Sequence, residues 1–179
     1  SSFIGAMTDT VLILKPNTTT ERIAFLIGGL SGISMDRLVF AGVFIIFALI
    51  IALFLSYDMN ILALGDESAK SLGLNVIRIR FIFLILAAML AGSAISIAGL
   101  LGFVGLIVPH VSRFLVGYDN RVLLPVSALL GSIFTLLCDL LARVLFAPYE
   151  IPVGIIMSFL GGPFFIHLLV KGRRGQLYD

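Results

Sequence analysis

The chain has 179 residues, 60% of them hydrophobic and only 12% charged, with a formal net charge of +2. An average soluble domain carries about 25% Asp, Glu, Lys and Arg, so a mean hydropathy of +1.16 excludes an ordinary water-soluble domain and points to lipid as the solvent. The small net charge offers nothing to a nucleic acid, and a lone cysteine, Cys138, excludes an internal disulfide and a cysteine metal cluster.

No charged residue occurs between Arg37 and Asp58, Arg80 and Arg113, Arg121 and Asp139, or Glu150 and Lys171. Each gap approaches or exceeds the roughly 20 residues that cross a bilayer as a helix, without the alternation of a membrane barrel. The expected fold is all-α: a polytopic helical membrane protein with about five spans and short periplasmic and cytoplasmic helices, residues 1–179 forming one transmembrane domain. In chain order, SSFIGAMTDTVLIL lacks an initiator Met and a basic signal region. It reads as the tail of a helix already under way, so the chain is expected to be part of something longer. KPNTTTER is a loop in which Thr19 or Thr20 caps a short helix over 21–27, stopped by GGLSG at 28–32.

A first full span covers 38–57. A polar connector, 58–75, contains the stretch NILALGDESAKSLGL. Three charges at mid-bilayer cost about 2.5–3.5 kcal/mol each, whereas each Leu or Ile returns only about 0.3–0.6, so the connector stays in water. Gly65 and Gly73 are expected to stop two short helices, with Asp66 as N-cap of the second. Ile61, Leu62, Leu64 and Leu72 would give this knuckle an apolar surface rimmed by charge, which either marks a protein contact or belongs to a plain solvated loop.

The next span covers 76–98. GLLGFVGLIVPHVSRF is too long for one helix and is cut at Gly99 and Gly102. A shorter span over 103–116 follows, kinked at Pro109, with His110 expected to bond a carbonyl freed by the kink. GYDNR is a turn, 123–146 a span, APYEIP a loop, and 155–170 a last span broken near the GGP at 161–163. Cys138 reads as a small residue facing lipid or core, and His167 as facing headgroups. With the connector inside, Lys70, Arg78, Arg80, Arg113, Arg121, Lys171, Arg173 and Arg174 lie inside, and Lys15, Arg22, Arg37 and Arg143 outside. Eight against four places the connector in the cytoplasm.

Three constellations bear on function. GLSG at 29–32 fits the GxSG of rhomboid-type intramembrane serine proteases, with His110 or His167 as base for Ser31; four residues and two histidines are a weak signal. A secondary transporter or channel would carry several ionisable groups at membrane depth. Only Asp139 qualifies, and Arg143 stands four residues on, on the same helix face. No G-x-x-x-x-G-K-[ST] occurs, so an energised importer needs a separate ATPase.

The connector NILALGDESAKSLGL, the passage AGLLGFVGLIVPHVSRFLVGYDNRVLLPVSALLG, the pair in DLLAR, and EIPVGIIMSFLGGPFFIHLL follow one another in a specific order. In these motifs the chain resembles the FecCD-type permease subunits of ABC importers for iron-siderophores, heme and cobalamin, over the C-terminal half of a ten-span permease. The resemblance implies that 60–74 forms the coupling helices seated on the ATPase subunit, with Leu64, Gly65, Asp66, Glu67, Ala69, Lys70 and Gly73 at the matching positions. It implies that Arg143 docks an extracytoplasmic substrate-binding protein, the alternative being an internal partner for Asp139. Gly28, Gly29, Ser31 and Gly32 would lie near the outer mouth of a pathway also lined by the first element, the short helix, and parts of 103–116 and 155–170; alternatively they form a turn. Pro109, His110, Asp139, Glu150 and Pro152 are expected to be structural. The implied partners are an ABC ATPase that uses ATP and Mg, the binding protein, a second permease copy and the bilayer of the bacterial inner membrane. The chain itself is expected to bind no cofactor and catalyse no bond chemistry.

Overall fold

In lipid the polar backbone of an apolar run has no water to satisfy its amides and carbonyls, so runs like these must bond internally as helices. The computed structural model describes residues 25–145 and 151–175, and their regular structure is helical throughout. After a helical turn at 25–27 come α1 (Met35–Phe54), α2 (Ser56–Ala63), α3 (Asp66–Ser71), α4 (Val76–Ala98), α5 (Val104–Val116), α6 (Asn120–Leu145) and α7 (Val153–Gly175). A helix stands at each of the five expected span positions. Three of them, α1, α4 and α6, are long and apolar enough to cross a membrane. The 13 residues of α5 reach only about 20 Å, and the apolar part of α7, Val153–Ile166, is also short. The Thr19 and Thr20 caps and the element at 1–14 lie outside the described residues.

Several boundaries shift by a few residues, α6 for example starting at Asn120 inside the expected GYDNR turn, and two differences bear on the architecture. The first span ends at Phe54 rather than at 57, because α2 starts at Ser56 after a single linking residue, Leu55. In the last span, α7 runs unbroken through Gly161, Gly162 and Pro163. Proline lacks the amide that would bond the carbonyl four residues before it, a loss that membrane helices tolerate when other groups satisfy that carbonyl. Pro109 and Pro125 likewise lie inside α5 and α6 without ending them.

Packing uses small residues. Ala41, Ala48 and Ala52 make the buried stripe of α1, which lets it lie close along α4; Ala48 and Ala52 meet Leu86, flanked by Ile51, Phe83 and Met89. The second core joins Cys138, Val153 and Met157 between α6 and α7, with Phe134, Leu101 and Val104 against it. Cys138 thus faces core rather than lipid. Central to the bundle is α6, which touches α1, α2, α5 and α7. Outward, large apolar side chains such as Phe40, Phe47, Phe54 and Phe159 remain exposed, a surface suited to lipid and to further helices.

Candidate functional site

The knuckle exists as two helices, and one residue makes the bend. Gly65 has φ 97° and ψ 159°, a backbone region essentially open only to glycine. Its amide donates to the Leu62 carbonyl at 3.3 Å, closing α2, and its carbonyl accepts from the Ala69 amide at 3.0 Å, opening α3. Gly65, not Asp66, therefore holds the N-cap position. Asp66 is the first helical residue, and its carboxylate is drawn away from the helix end by Arg80 of α4, at 2.5 Å. This is a partly exposed surface pair, worth no more than about 1 kcal/mol, so it orients α3 more than it stabilises it. At the far end Gly73, φ 84°, closes a Schellman motif: the Leu74 amide donates to Ala69 at 3.0 Å and the Gly73 amide to Lys70 at 2.9 Å. The Asn75 side chain then accepts from the Arg78 amide at 3.2 Å and starts α4.

Within α3 only Ala69 is buried. Glu67 and Lys70 face outward, flanked by Leu64 and Leu72, which are 64% and 62% exposed; Ile61 and Leu62 are half-buried. The sequence-expected coupling residues are thus brought together on one helical projection at the end of the bundle that also carries Arg78, Arg80, Arg113 and Arg121.

Residues that the sequence reading passed over hold the other half of the knuckle. Asn60 of α2 donates to the Asp119 carboxylate at 2.6 Å, while its own oxygen accepts from the Asn120 backbone and side-chain amides at 2.9 and 2.8 Å. The Arg121 amide donates to the same Asp119 oxygen at 3.0 Å, and the Arg121 guanidinium lies 4.6 Å from the centre of the Tyr57 ring. Asn60 opens the conspicuous connector motif, and DN in GYDNR offers the matching groups; that pairing was the available signal. The Asp119 carboxyl is held below the ordinary carboxylate range, first by the Arg121 amide, then by the Asn60 side chain, with burial opposing and the Arg121 charge assisting. A depressed carboxyl contributes stability above its unfolded pKa and loses it as pH falls through the lowered value. Asp119→Asn should therefore lower the thermal midpoint of the detergent-purified protein at neutral pH, and the gap to wild type should close in strong acid.

The opposite end is stitched through backbone. The Gly29 amide donates to Ala98 at 2.9 Å, Leu100 to Phe25 at 2.9 Å, and Gly154 to Gly28 at 3.2 Å. Non-helical backbone at membrane depth persists only when its polar groups are satisfied in this way. Glycines permit the approach: a Cβ on Gly28 (φ 79°) would stand 2.7 Å from the Leu100 oxygen, one on Gly99 (φ 69°) 2.6 Å from the Phe25 oxygen, and one on Gly154 inside the radius of the Ile27 oxygen. Gly154 and its role in this knot were not legible as a turn signal. Gly161 similarly admits the Phe103 side chain, and Phe103, not Gly102, takes the left-handed backbone before α5 (φ 65°).

Residues 28–32 thus form a turn. Gly28 is buried in the knot, Gly29 stands beside Pro152, and Ser31 and Gly32 are exposed. Gly29, Ser31, Arg37 and Pro152 line a depression of about 480 Å³. A larger, mainly apolar groove of about 780 Å³ lies between Leu26, Ile27, Ile95, Leu101, Ser158 and Phe159, so the helical turn at 25–27 and the last span meet at one cavity.

His110 makes edge-on contacts with Phe114 and Phe164, centroids 4.9 and 6.0 Å away, in place of the expected carbonyl bond. The side chain that bonds a carbonyl near the proline is Ser112, whose buried hydroxyl donates to Val108 at 2.8 Å. Ser31 and His110 are not hydrogen-bonded, and Ser31→Ala should leave substrate uptake within about twofold of wild type, the scale of a benign surface change; complete loss of turnover would revive the protease reading. Arg143 donates to Asp139 at 2.9 Å, nineteen residues or about 28 Å along α6 from the Asn60 cluster. Glu150 lies outside the described residues.

Apolar helices packed through small residues, with a helical projection at the basic end, define a multi-pass helical membrane protein. Comparison with known proteins gives the family: the FecCD transport family model matches residues 1–171, and the chain belongs to that family. It is 38% identical to the Fe(3+)-citrate import system permease of Bacillus subtilis strain 168 over 96% of this chain and 51% of that protein. It is 42% identical to the hemin transport system permease of Yersinia pestis over 82% and 44%, and 36% identical to the Fe(3+) dicitrate transport system permease of Escherichia coli K12 over 94% and 53%. A solved metal-chelate type ABC transporter in an inward-facing conformation superposes with a TM-score of 0.84 at 31% identity, over 95% of this chain and 56% of that one. The chain spans about half the length of the curated relatives it matches.

Proposed function

We propose that this chain is part of the permease of a binding-protein-dependent ABC importer in the bacterial inner membrane, for iron-siderophore, heme or cobalamin-type substrates. The knuckle carries the reading. Leu64, Gly65, Glu67, Lys70 and Gly73 form a stiff, exposed helix pair, Ala69 and Asp66 anchor it to the bundle, and a stiff projection transmits force where a solvated loop would absorb it. A partner ATPase, using ATP and Mg, grips the knuckle, and its closure drives alternating access between outward- and inward-open states. A second permease copy completes the pathway, whose wall on this chain is the apolar groove beside Leu26 and Phe159, with Gly28, Gly29, Ser31 and Gly32 at its outer mouth. Arg143 docks the external binding protein by exchanging Asp139 for an acidic group on that protein. The chain itself catalyses no bond chemistry.

Uptake by proteoliposomes carrying the complete permease, with and without its ATPase subunit, tests this. ATP-dependent accumulation that vanishes without the ATPase is expected. Undiminished uptake without it would instead make the protein a secondary transporter or channel.

A further inference from the structure

We infer that Asn60, Asp119 and Asn120 form a latch that makes α2 and α6 move as one body, and that these three are positioning residues for coupling. The inference rests on the proposed ATPase-facing role of the knuckle. Among the described residues, the side-chain hydrogen bonds that join one helical element to another gather at the knuckle: Arg80 holds Asp66, and three bonds link Asn60 with Asp119 and Asn120. The two attachments divide the knuckle between two spans, α3 being tied to α4 and α2 to the start of α6.

The chain path alone would not link α2 to α6. Asn60 and Asp119 are 59 residues apart, and the covalent neighbour of α2 is α1, through Leu55 alone. A push on the knuckle would pass first into α1 unless α2 were fastened elsewhere. The latch fastens it to the helix that touches α1, α5 and α7 as well, and so to the core around Cys138 and Met157. Asn60 is suited to the place because one side chain supplies both a donor for Asp119 and an acceptor for two amide groups of Asn120. An apolar residue supplies neither. A carboxylate there would face Asp119 with like charge.

That asymmetry gives the test. In proteoliposomes holding the assembled importer, uptake and ATP hydrolysis are measured together for wild type, Asn60→Asp, and Asn60→Asp/Asp119→Asn. A Lys70→Cys crosslink to the ATPase is scored in each background. Asn60→Asp should keep the crosslink but lower uptake per ATP hydrolysed by about five- to tenfold, the scale of ordinary coupling between sites. In the double variant donor and acceptor change places, and the ratio should return. A residue needed only for folding would lower uptake and hydrolysis together. If Asn60→Asp fails to assemble, Asn60→Ala, which adds no charge, is read in its place. A wild-type ratio in the single variant with the crosslink intact, or a double variant as uncoupled as the single one, overturns the latch alone. Absence of the crosslink in wild type overturns the reading beneath it.

Discussion

Gly154→Val is expected to remove most of the correctly assembled protein from the membrane. Any Cβ at this position would fall inside the radius of the Ile27 oxygen. That oxygen belongs to backbone held in place by the neighbouring bond from the Gly154 amide to Gly28, so no side-chain rotation relieves the clash. Overpacking that side chains can absorb costs about 1–3 kcal/mol; here the backbone at 25–29 must leave the start of α7, taking its hydrogen bonds with it. Against a total stability of about 5–15 kcal/mol for a typical domain, the expected loss exceeds that range of overpacking costs. Gly42 in α1 is the control. A Cβ there meets nothing within 4 Å, so Gly42→Ala should be neutral or raise stability by up to about 1 kcal/mol through backbone entropy. Thermal unfolding of the detergent-purified variants separates the two, and equal midpoints would mean that the glycine knot is not a close-packed element.

The second large effect falls on function with the bundle intact. Gly65→Pro pins φ near −65° where the bend needs 97°, and it deletes the amide that bonds Leu62. Nothing lies within 4 Å of a Cβ at Gly65, so the damage is to the direction of α3 and not to packing. ATP hydrolysis by the assembled importer should continue while uptake per ATP falls by tenfold or more, a coupling loss of at least about 1.4 kcal/mol. Gly65→Ala, which keeps the amide, should be milder, its backbone strain being about 1–3 kcal/mol. Reversing the charges of Glu67 and Lys70 should uncouple without moving α3 at all. If all three variants couple normally and assemble normally, the knuckle is not the lever.

What could be read from the sequence was local. Charge-free gaps located the long helices, because each ionised side chain at mid-bilayer costs several times what a Leu returns. Gly65 and Gly73 announced the knuckle because glycine is the residue that reaches such backbone angles. The features that were not legible join distant positions. Asp66 reads as a cap until Arg80, fourteen residues on, claims it. Asn60 and GYDNR each look like ordinary polar surface until the helices bring them within 2.6 Å. Gly154 looks like a dispensable residue in a helix start, since only the carbonyl of Ile27, from another segment, shows why a side chain is forbidden. The unbroken α7 follows the same rule: GGP has the local chemistry of a break, and membrane burial overrides it.

The proposed hold of an ATPase on the projection around Lys70 can be tested directly. In a Cys138→Ala background, single cysteines at Glu67 and Lys70 should crosslink within the assembled importer to the ATPase subunit, and the yield should change between nucleotide-free and ATP-bound states. Labelling of both positions by a membrane-impermeant thiol reagent from the outer face of intact cells would contradict the account.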